Sequence, residues 1–270
     1  MIRGAAFAAC AIAAAFARVA AADDVCADAV TDPVATPLRD ARIDAQRGAC
    51  LRSEVAAAIG AHALIDTPGF HGFLGGDVTL RGRFRLGERV EVGALARVVD
   101  YAFAQTAVNK ATALRFGPLV LEAAVAAVRS PRAQLAVVAA LEVPATRDDT
   151  DTTRTGGQLA AVFTGELARR WTLHARIGAT GAAASSAGGE TRRLGLRGGA
   201  DAVWRGGRRA LLVGAELQAG WHDGFDTTLV RAGYVQRLGA AWRGVVGLGV
   251  PIGGNDRTNA AVDLGVVRTL

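Results

Sequence analysis

An alternation of polarity with a period of two residues is the feature that most constrains the fold of this chain. Residues 209–221 read RALLVGAELQAGW. Glu216 and Gln218 fall on one side of this segment, and the other side is formed by Leu211, Val213, Ala215, Leu217, Ala219 and Trp221. Because successive side chains of a β-strand point to opposite faces, the pattern predicts a strand with one apolar and one polar face.

The same pattern recurs throughout the chain and predicts twelve strands. They span residues 54–65, 77–86, 88–100, 113–128, 133–143, 157–167, 170–180, 193–204, 209–221, 227–237, 240–250 and 258–270. Each strand has about ten residues or a few more, which is the length of a tilted strand that crosses a bilayer. After the N-terminus no apolar run is long enough for a membrane-spanning helix.

The connections between these strands alternate in length. Short turns such as RSPR and RGGR alternate with longer segments such as PATRDDTDTTRTGG and TGAAASSAGGETRR. Outer-membrane barrels have this asymmetry, with short periplasmic turns and longer extracellular loops. The pattern therefore predicts that the loops around Asp149 and Ser185 lie outside the cell.

The composition of the two faces favours lipid, rather than a protein core, around the apolar side. This side consists mainly of Ala, Val and Leu, and aromatic residues lie near predicted strand ends, namely Trp171, Trp204, Trp221, Trp242 and Tyr234. Aromatic girdles and a polar interior are typical of membrane barrels. We therefore predict an all-β fold, a transmembrane antiparallel up-and-down β-barrel of about twelve strands in a bacterial outer membrane. A soluble β-sandwich is the alternative.

The N-terminal sequence predicts export. Residues 1–22 combine a basic residue, an apolar stretch and an AAA site, as a cleaved signal peptide does. Residues 23–53 contain little periodic apolar sequence and are predicted to form a periplasmic segment, which the barrel follows over residues 54–270. Cys26 and Cys50 form an even pair in an exported chain, so we predict a disulfide between them.

The alternation also predicts which side chains point into the barrel. The predicted lumen-lining residues are Arg81, Arg83, Arg85, Arg97, Glu122, Glu142, His174, Arg176, Arg197, Asp201, Glu216, Arg231, Arg243 and Asp263. The carboxylates predicted to face the arginines also include Glu91 and Glu166. Buried charges must pair or stay hydrated, so we expect many of them to form arginine–carboxylate pairs. These pairs either hold the wall in register or line an open path, in which the arginines at 81, 83 and 85 would favour anions.

The short turns are rich in arginine, as Arg89, Arg129, Arg169, Arg208 and Arg237 illustrate. These residues either contact phospholipid headgroups or reflect a coding bias toward arginine. The net charge of +6 does not indicate nucleic-acid binding, because no basic cluster contains interleaved aromatic residues.

One long stretch resembles a known group of proteins. The segment RFGPLVLEAAVAAVRSPRAQLAVVAALEVPAT resembles the strand–turn–strand–proline pattern of transporter-like Gram-negative outer-membrane β-barrels, including those of the phenol-degradation-pathway type. LIDTPGF and VDYAFAQ are similar to segments of uncharacterised myxobacterial barrels. The resemblance implies a barrel that passes small solutes. It also implies recognition by the barrel-assembly machinery, although this chain ends in Leu270 rather than in an aromatic residue.

No motif for catalysis, cofactor binding or metal binding stands out. The four histidines lack a GxSxG or comparable nucleophile motif. The acidic segment with Asp148, Asp149 and Asp151 lacks the ligand spacing of an EF-hand. The glycine-rich GLGVPIGG precedes a strand, whereas a phosphate cradle precedes a helix. We predict no enzyme activity, no cofactor and no resident metal.

The sequence therefore predicts a channel or facilitator for small solutes with an arginine-rich polar lumen. Its predicted partners are outer-membrane lipids, the assembly machinery and an unidentified small solute. One alternative is a structural or adhesive barrel that acts through its extracellular loops, and a further one is a membrane-embedded hydrolase. The width of the lumen is left open, because barrels of about eight strands have almost no lumen and barrels of about sixteen have an open channel.

Overall fold

The computed structural model describes residues 25–26, 48–63, 70–106, 109–143, 153–186, 189–220, 226–254 and 260–270. The regular elements in these residues are the strands β1 Glu54–Ala63, β2 Phe70–Leu86, β3 Val90–Thr106, β4 Lys110–Arg115, β5 Leu119–Arg129, β6 Ala133–Val143, β7 Thr153–Ala168, β8 Trp171–Ser186, β9 Gly189–Gly206, β10 Arg209–Gly220, β11 Asp226–Arg237, β12 Trp242–Gly254 and β13 Ala260–Thr269. Within this part of the chain no helix is long and apolar enough to cross a membrane. The predicted signal peptide and the acidic segment around Asp149 lie outside the described residues.

The strands form one closed antiparallel barrel. Strand β1 pairs with β2 on one side and with β13 on the other, and β2 also pairs with β3, so the sheet closes on itself. Strands β4 and β5 both pair with β3, along different parts of its length. They therefore occupy one position in the wall and are separated by residues 116–118. The predicted twelve-strand transmembrane-type barrel is confirmed, with one strand interrupted.

The two ends of the barrel differ. At the turn end, Glu54 of β1 lies opposite Thr269 of β13, and the hairpins β2–β3, β5–β6, β7–β8, β9–β10 and β11–β12 close with short turns. The β9–β10 turn contains only two residues, and its Gly207 has a φ of +62°, which favours glycine. The other end is called the loop end. All five predicted short turns thus lie at one end, together with both ends of the barrel sequence.

The prediction of a long loop around Ser185 is wrong. Strand β8 continues to Ser186, β9 begins at Gly189, and Ser185 pairs with Glu190, so these residues form a hairpin. Strand β3 likewise continues to Thr106, beyond its predicted end. Glycine, alanine, serine and threonine give little alternation of polarity, yet their backbone groups form the same ladder hydrogen bonds as those of any other residue. The strands therefore continue where the sequence pattern fades.

The outer surface of the barrel is an apolar band. Large side chains lie exposed on every side of it, including Leu80, Leu121, Leu141, Leu159, Ile177, Leu196, Val213, Leu217, Val246, Leu248, Val262 and Leu264. Leu217 exposes 62% of its surface and Ile177 exposes 55%. A continuous apolar surface of this extent is unusual on a soluble monomer and is what contact with lipid requires. The soluble-sandwich alternative is therefore wrong.

Aromatic side chains border this band at the turn end. Trp171 and Trp204 lie opposite each other on β8 and β9, and Trp242 begins β12. Tyr234 lies near the end of β11, and its hydroxyl donates a hydrogen bond of 2.7 Å to Gln236 Oε1. Amphipathic rings prefer the boundary between apolar lipid and water, so this border matches one membrane interface.

Candidate functional site

The side chains that alternate with the apolar band point into the barrel, and many of them are charged. The buried charged residues of the described chain comprise four arginines and seven carboxylates, namely Arg81, Arg83, Arg197, Arg231, Glu54, Glu91, Glu122, Glu142, Asp201, Glu216 and Asp263. The interior is therefore polar, but an excess of arginine is not confirmed. Arg85 differs from the other predicted lumen-lining residues because it lies exposed at the turn end.

The densest group of charges lies about halfway along β8–β11 and is called the central cluster. Glu216 on β10 accepts hydrogen bonds from Arg176 on β8 and Arg197 on β9. Arg231 on β11 donates to Glu216 at 2.7 Å, and it also holds Asp201, with 2.5 Å between Nε and Oδ1. Three guanidinium groups thus surround two carboxylates in a setting where the side chains are almost completely buried.

Glycines make these contacts possible. In the pairing register Gly199 lies between Arg176 and Glu216, and a Cβ at Gly199 would approach Arg176 Nη2 to 3.4 Å. Gly214 lies between Asp201 and Arg231 in the same way. The Arg176–Glu216 pair therefore extends across β9 and the Arg231–Asp201 pair across β10, and in both cases the strand between the partners has no inward side chain at that position. Inward-facing glycines next to inward-facing charges are the sequence signal for this arrangement.

A second group of charges lies at the turn end and is called the turn-end cluster. Glu54, the first residue of β1, accepts a hydrogen bond from Arg83 and lies 3.3 Å from Arg243 Nη2. Arg83 Nε lies 3.9 Å from Glu91 Oε1. Glu54 was absent from the predicted lumen set because it stands at the predicted strand boundary. Its alternation with the apolar Val55 was the available signal.

The remaining predicted residues lie near these clusters or farther along the wall. Arg81 Nη2 lies 3.5 Å from Glu122 Oε2, and Arg97 Nε lies 3.7 Å from Asp77 Oδ2. Asp77 and Asp263 flank Gly60, where a Cβ would lie 2.6 and 2.8 Å from their Oδ1 atoms. Asp77 was not in the predicted set. Glu142 lies against Gly156, where a Cβ would approach Glu142 Oε2 to 3.1 Å.

Residues 48–53, called the lead segment, pass inside the barrel before β1 begins. The backbone N–H of Ala49 donates to Thr164 Oγ1 at 2.9 Å, and that of Arg52 donates to Glu91 Oε2 at 2.6 Å. Ala49 and Leu51 pack in one apolar cluster with Ala124, Ala126, Ala136, Val138, Ala160 and Val162. The lead segment therefore covers the inner faces of β5, β6 and β7.

This packing explains why β5 and β6 are apolar on both faces. In VLEAAVAAV and QLAVVAALE the inward positions alternate with outward ones, but most inward positions also carry Ala or Val. Strands that are covered on both faces have near-continuous apolar sequence. The inward alanines and valines form the binding surface for the lead segment, and the predicted lumen set does not include them because it contains only polar residues.

Cys26 and Cys50 are bonded to each other in the structure, with their Cα atoms 5.5 Å apart. The backbone N–H of Val25 donates to the carbonyl oxygen of Pro131 in the β5–β6 turn at 2.6 Å. Cys26 Sγ lies 2.9 Å from Gln134 Oε1. The bond thus joins two short pieces of chain that both contact the barrel at the turn end. Its formation in the cell and the periplasmic location of residues 23–53 stay predictions.

The side chain of His174, the histidine side chain that the structure describes, contacts groups that hold the lead segment in place. His174 is buried, and its Nδ1 lies 2.9 Å from Thr164 Oγ1. The same hydroxyl accepts the backbone N–H of Ala49, and a Cβ at Gly48 would lie 2.8 Å from His174 Nδ1. The ring therefore supports the lead segment. The side chains of the other three histidines lie outside the described set.

Comparisons with known proteins agree with this architecture. No family model and no curated protein matches the chain. Among solved structures, an outer membrane channel from Pseudomonas putida F1 matches with a TM-score of 0.64 and 15% identity, covering 82% of this chain and 96% of that one. The translocator domain of the autotransporter NalP from Neisseria meningitidis matches with a TM-score of 0.58 and 15% identity, covering 80% and 88%.

The NanC porin matches with a TM-score of 0.55 and 8% identity, covering 80% of this chain and all of the porin. The chain has the fold of outer-membrane β-barrels. At these identities the matches establish the fold alone. The predicted resemblance to outer-membrane barrels is thus confirmed at the level of the fold, whereas the narrower resemblance to phenol-degradation-type and myxobacterial barrels stays a prediction.

Proposed function

We propose that the chain is a channel or facilitator for small solutes in a bacterial outer membrane. The apolar outer band, the aromatic border and the closed wall support insertion in a membrane. Of the solved structures described above, one is named as a channel and another as a porin. We propose as lumen-lining the residues predicted from the sequence, including Glu91, with Arg85 at the entrance and with Glu54 and Asp77 added.

The central cluster is the observation that carries this proposal. Buried ion pairs contribute little net stability, and apolar residues of similar volume often stabilise a protein as well or better. This chain uses such an apolar inner layer nearer the turn end, built from Val203, Ala210, Leu212, Val235, Val245 and Val267. If the interior had only to be filled, the same apolar residue types could also occupy the middle of the barrel. Charges retained there favour a polar path for small solutes, and because these side chains are almost completely buried, a solute passes only where the ion pairs move apart.

The lead segment and the apolar inner layer together narrow the turn end of this path. Ala49 is fully buried and Leu51 nearly so, which shows how closely the lead segment packs on the wall. We therefore propose a narrow path that suits small solutes. Its selectivity between anions and cations should be weak, because carboxylates accompany the arginines at every described cluster.

Single-channel recording in planar bilayers tests the proposal. The wild-type protein should give reproducible conductance steps, and Arg176→Gln should shift the reversal potential in a salt gradient toward cations, because it removes an inward positive charge. Arg268→Gln is the matched control, since it removes the same charge from the outer face of β13. Absence of steps in the wild type would contradict a channel and favour a structural or adhesive barrel.

We also propose that the barrel has no catalytic activity of its own, because the hydrogen bonds of His174 and Thr164 support the lead segment. We retain the prediction that the barrel-assembly machinery recognises β13. Its outward residues Val262, Leu264 and Val266 keep the alternation up to the exposed Leu270, which supports this prediction.

A further inference from the structure

Nine exposed arginines encircle the turn end of the barrel. This arginine ring consists of Arg85, Arg89, Arg129, Arg169, Arg170, Arg208, Arg209, Arg237 and Arg268. They come from the five hairpins that close at the turn end, either from the turn itself or from the strand ends beside it, and from the last strand. Among the described residues of this end, Glu88 is the exposed acidic side chain, and its Oε2 lies 3.7 Å from Arg129 Nη1. Within the part of the chain that the structure describes, the ring therefore carries a large local excess of positive charge.

The ring differs from the arginines of the interior. Inside the barrel, Arg83, Arg197 and Arg231 each contact at least one carboxylate, which neutralises much of their charge. A coding bias toward arginine would raise the arginine content of every part of the chain. It would not by itself pair the inward arginines with carboxylates while Glu88 is the exposed acidic side chain among the described residues of the turn end.

The ring lies directly at the border of the apolar band. Arg170 immediately precedes Trp171, which exposes 45% of its surface on the outer face. The Arg268 guanidinium carbon lies 5.7 Å from the centre of the Trp242 ring, also on the outer face. These cations are thus at the level where lipid headgroups begin, next to the aromatic residues that mark the membrane interface.

We propose that the arginine ring binds the phosphate groups of anionic phospholipids in the leaflet that surrounds the turn end. The planar guanidinium group matches two phosphate oxygens at once, and basic residues near an anionic leaflet gain electrostatic attraction. The ring follows the circumference of the barrel, as the shell of lipids around it does. Arg268 lies against the exposed Trp242 on the outer face of the wall and Arg170 adjoins the exposed Trp171, and this position favours lipid headgroups over a soluble polyanion at the opening.

This proposal rests on the membrane insertion inferred above and is tested by tryptophan quenching in vesicles. Trp171, Trp204 and Trp242 all lie next to the ring, and a Trp221→Phe background removes the remaining tryptophan. The probes are phosphatidylglycerol and phosphatidylcholine with brominated acyl chains, each as a minor component in unbrominated phosphatidylcholine. In this background, we expect the quenching by brominated phosphatidylglycerol to correspond to binding about threefold tighter, or more, than that of brominated phosphatidylcholine.

In the same background, Arg170→Gln with Arg268→Gln should remove at least half of the preference for phosphatidylglycerol over phosphatidylcholine. Added salt should also weaken the preference, because it screens the charges. The control is Lys110→Gln with Arg192→Gln, which removes two exposed positive charges at the loop end and should leave the preference unchanged. Equal quenching by the two lipids, or an equal loss in the control, would overturn the ring proposal alone. Quenching by neither lipid would contradict membrane insertion and overturn both proposals.

Discussion

Replacing Glu216 by Gln tests whether the central cluster stabilises the barrel. Glu216 is 1% exposed and accepts hydrogen bonds from Arg176, Arg197 and Arg231. Glutamine keeps the shape and one acceptor oxygen but removes the charge, which leaves three guanidinium groups around the single carboxylate of Asp201. Breaking a buried ion pair by removing one partner costs about 3–5 kcal/mol, because the remaining charge stays buried without compensation. We expect the free energy of unfolding to fall by about that amount.

The assay is a denaturant titration of the protein in phospholipid vesicles, followed by tryptophan fluorescence. Glu190→Gln is the matched control, because Glu190 forms an exposed pair with Arg192 and its removal should leave the unfolding free energy unchanged. Glu216→Gln with Arg197→Gln restores the net charge of the cluster and should recover about 1 kcal/mol or more. The reasoning is refuted if Glu216→Gln stays within about 1 kcal/mol of the wild type, or if the second substitution only adds to the loss.

Three further changes have defined outcomes. Gly60→Ala should lower the unfolding free energy by about 1–3 kcal/mol, because the new Cβ meets two aspartate carboxylates, whereas Gly239→Ala meets open space and should cost nothing. Cys26→Ser with Cys50→Ser should lower it by about 2–4 kcal/mol by releasing the constraint on the unfolded chain, and equal stability would contradict the predicted disulfide. In that background, whose remaining Cys10 lies in the predicted signal peptide, Glu190→Cys should react with an impermeant thiol reagent on whole cells, and labelling only after the cells are opened would invert the proposed orientation.

The wall of the barrel was largely predictable from the sequence, because alternation of polarity is a property of each strand alone. The predicted span 133–143 coincides with β6, and 209–221 differs from β10 by one residue. Strand ends at the loop end were predicted less well. There the chain is rich in small residues, and only pairing with a neighbouring strand determines whether it stays extended.

The inward direction of most charged residues was also predictable, but their partners were not. Arg176 reaches Glu216 across β9 because Gly199 lies between them in the pairing register, and this register exists only in the assembled sheet. The position of the lead segment depends on contacts with distant strands, which lie 39 residues later for the bond from Arg52 to Glu91 and 115 residues later for the bond from Ala49 to Thr164. The sequence by itself thus determined the strands and their two faces, because side-chain direction follows from the local backbone. Only the tertiary structure decided which charges meet and what fills the turn end, because both depend on closure of the barrel around the lead segment.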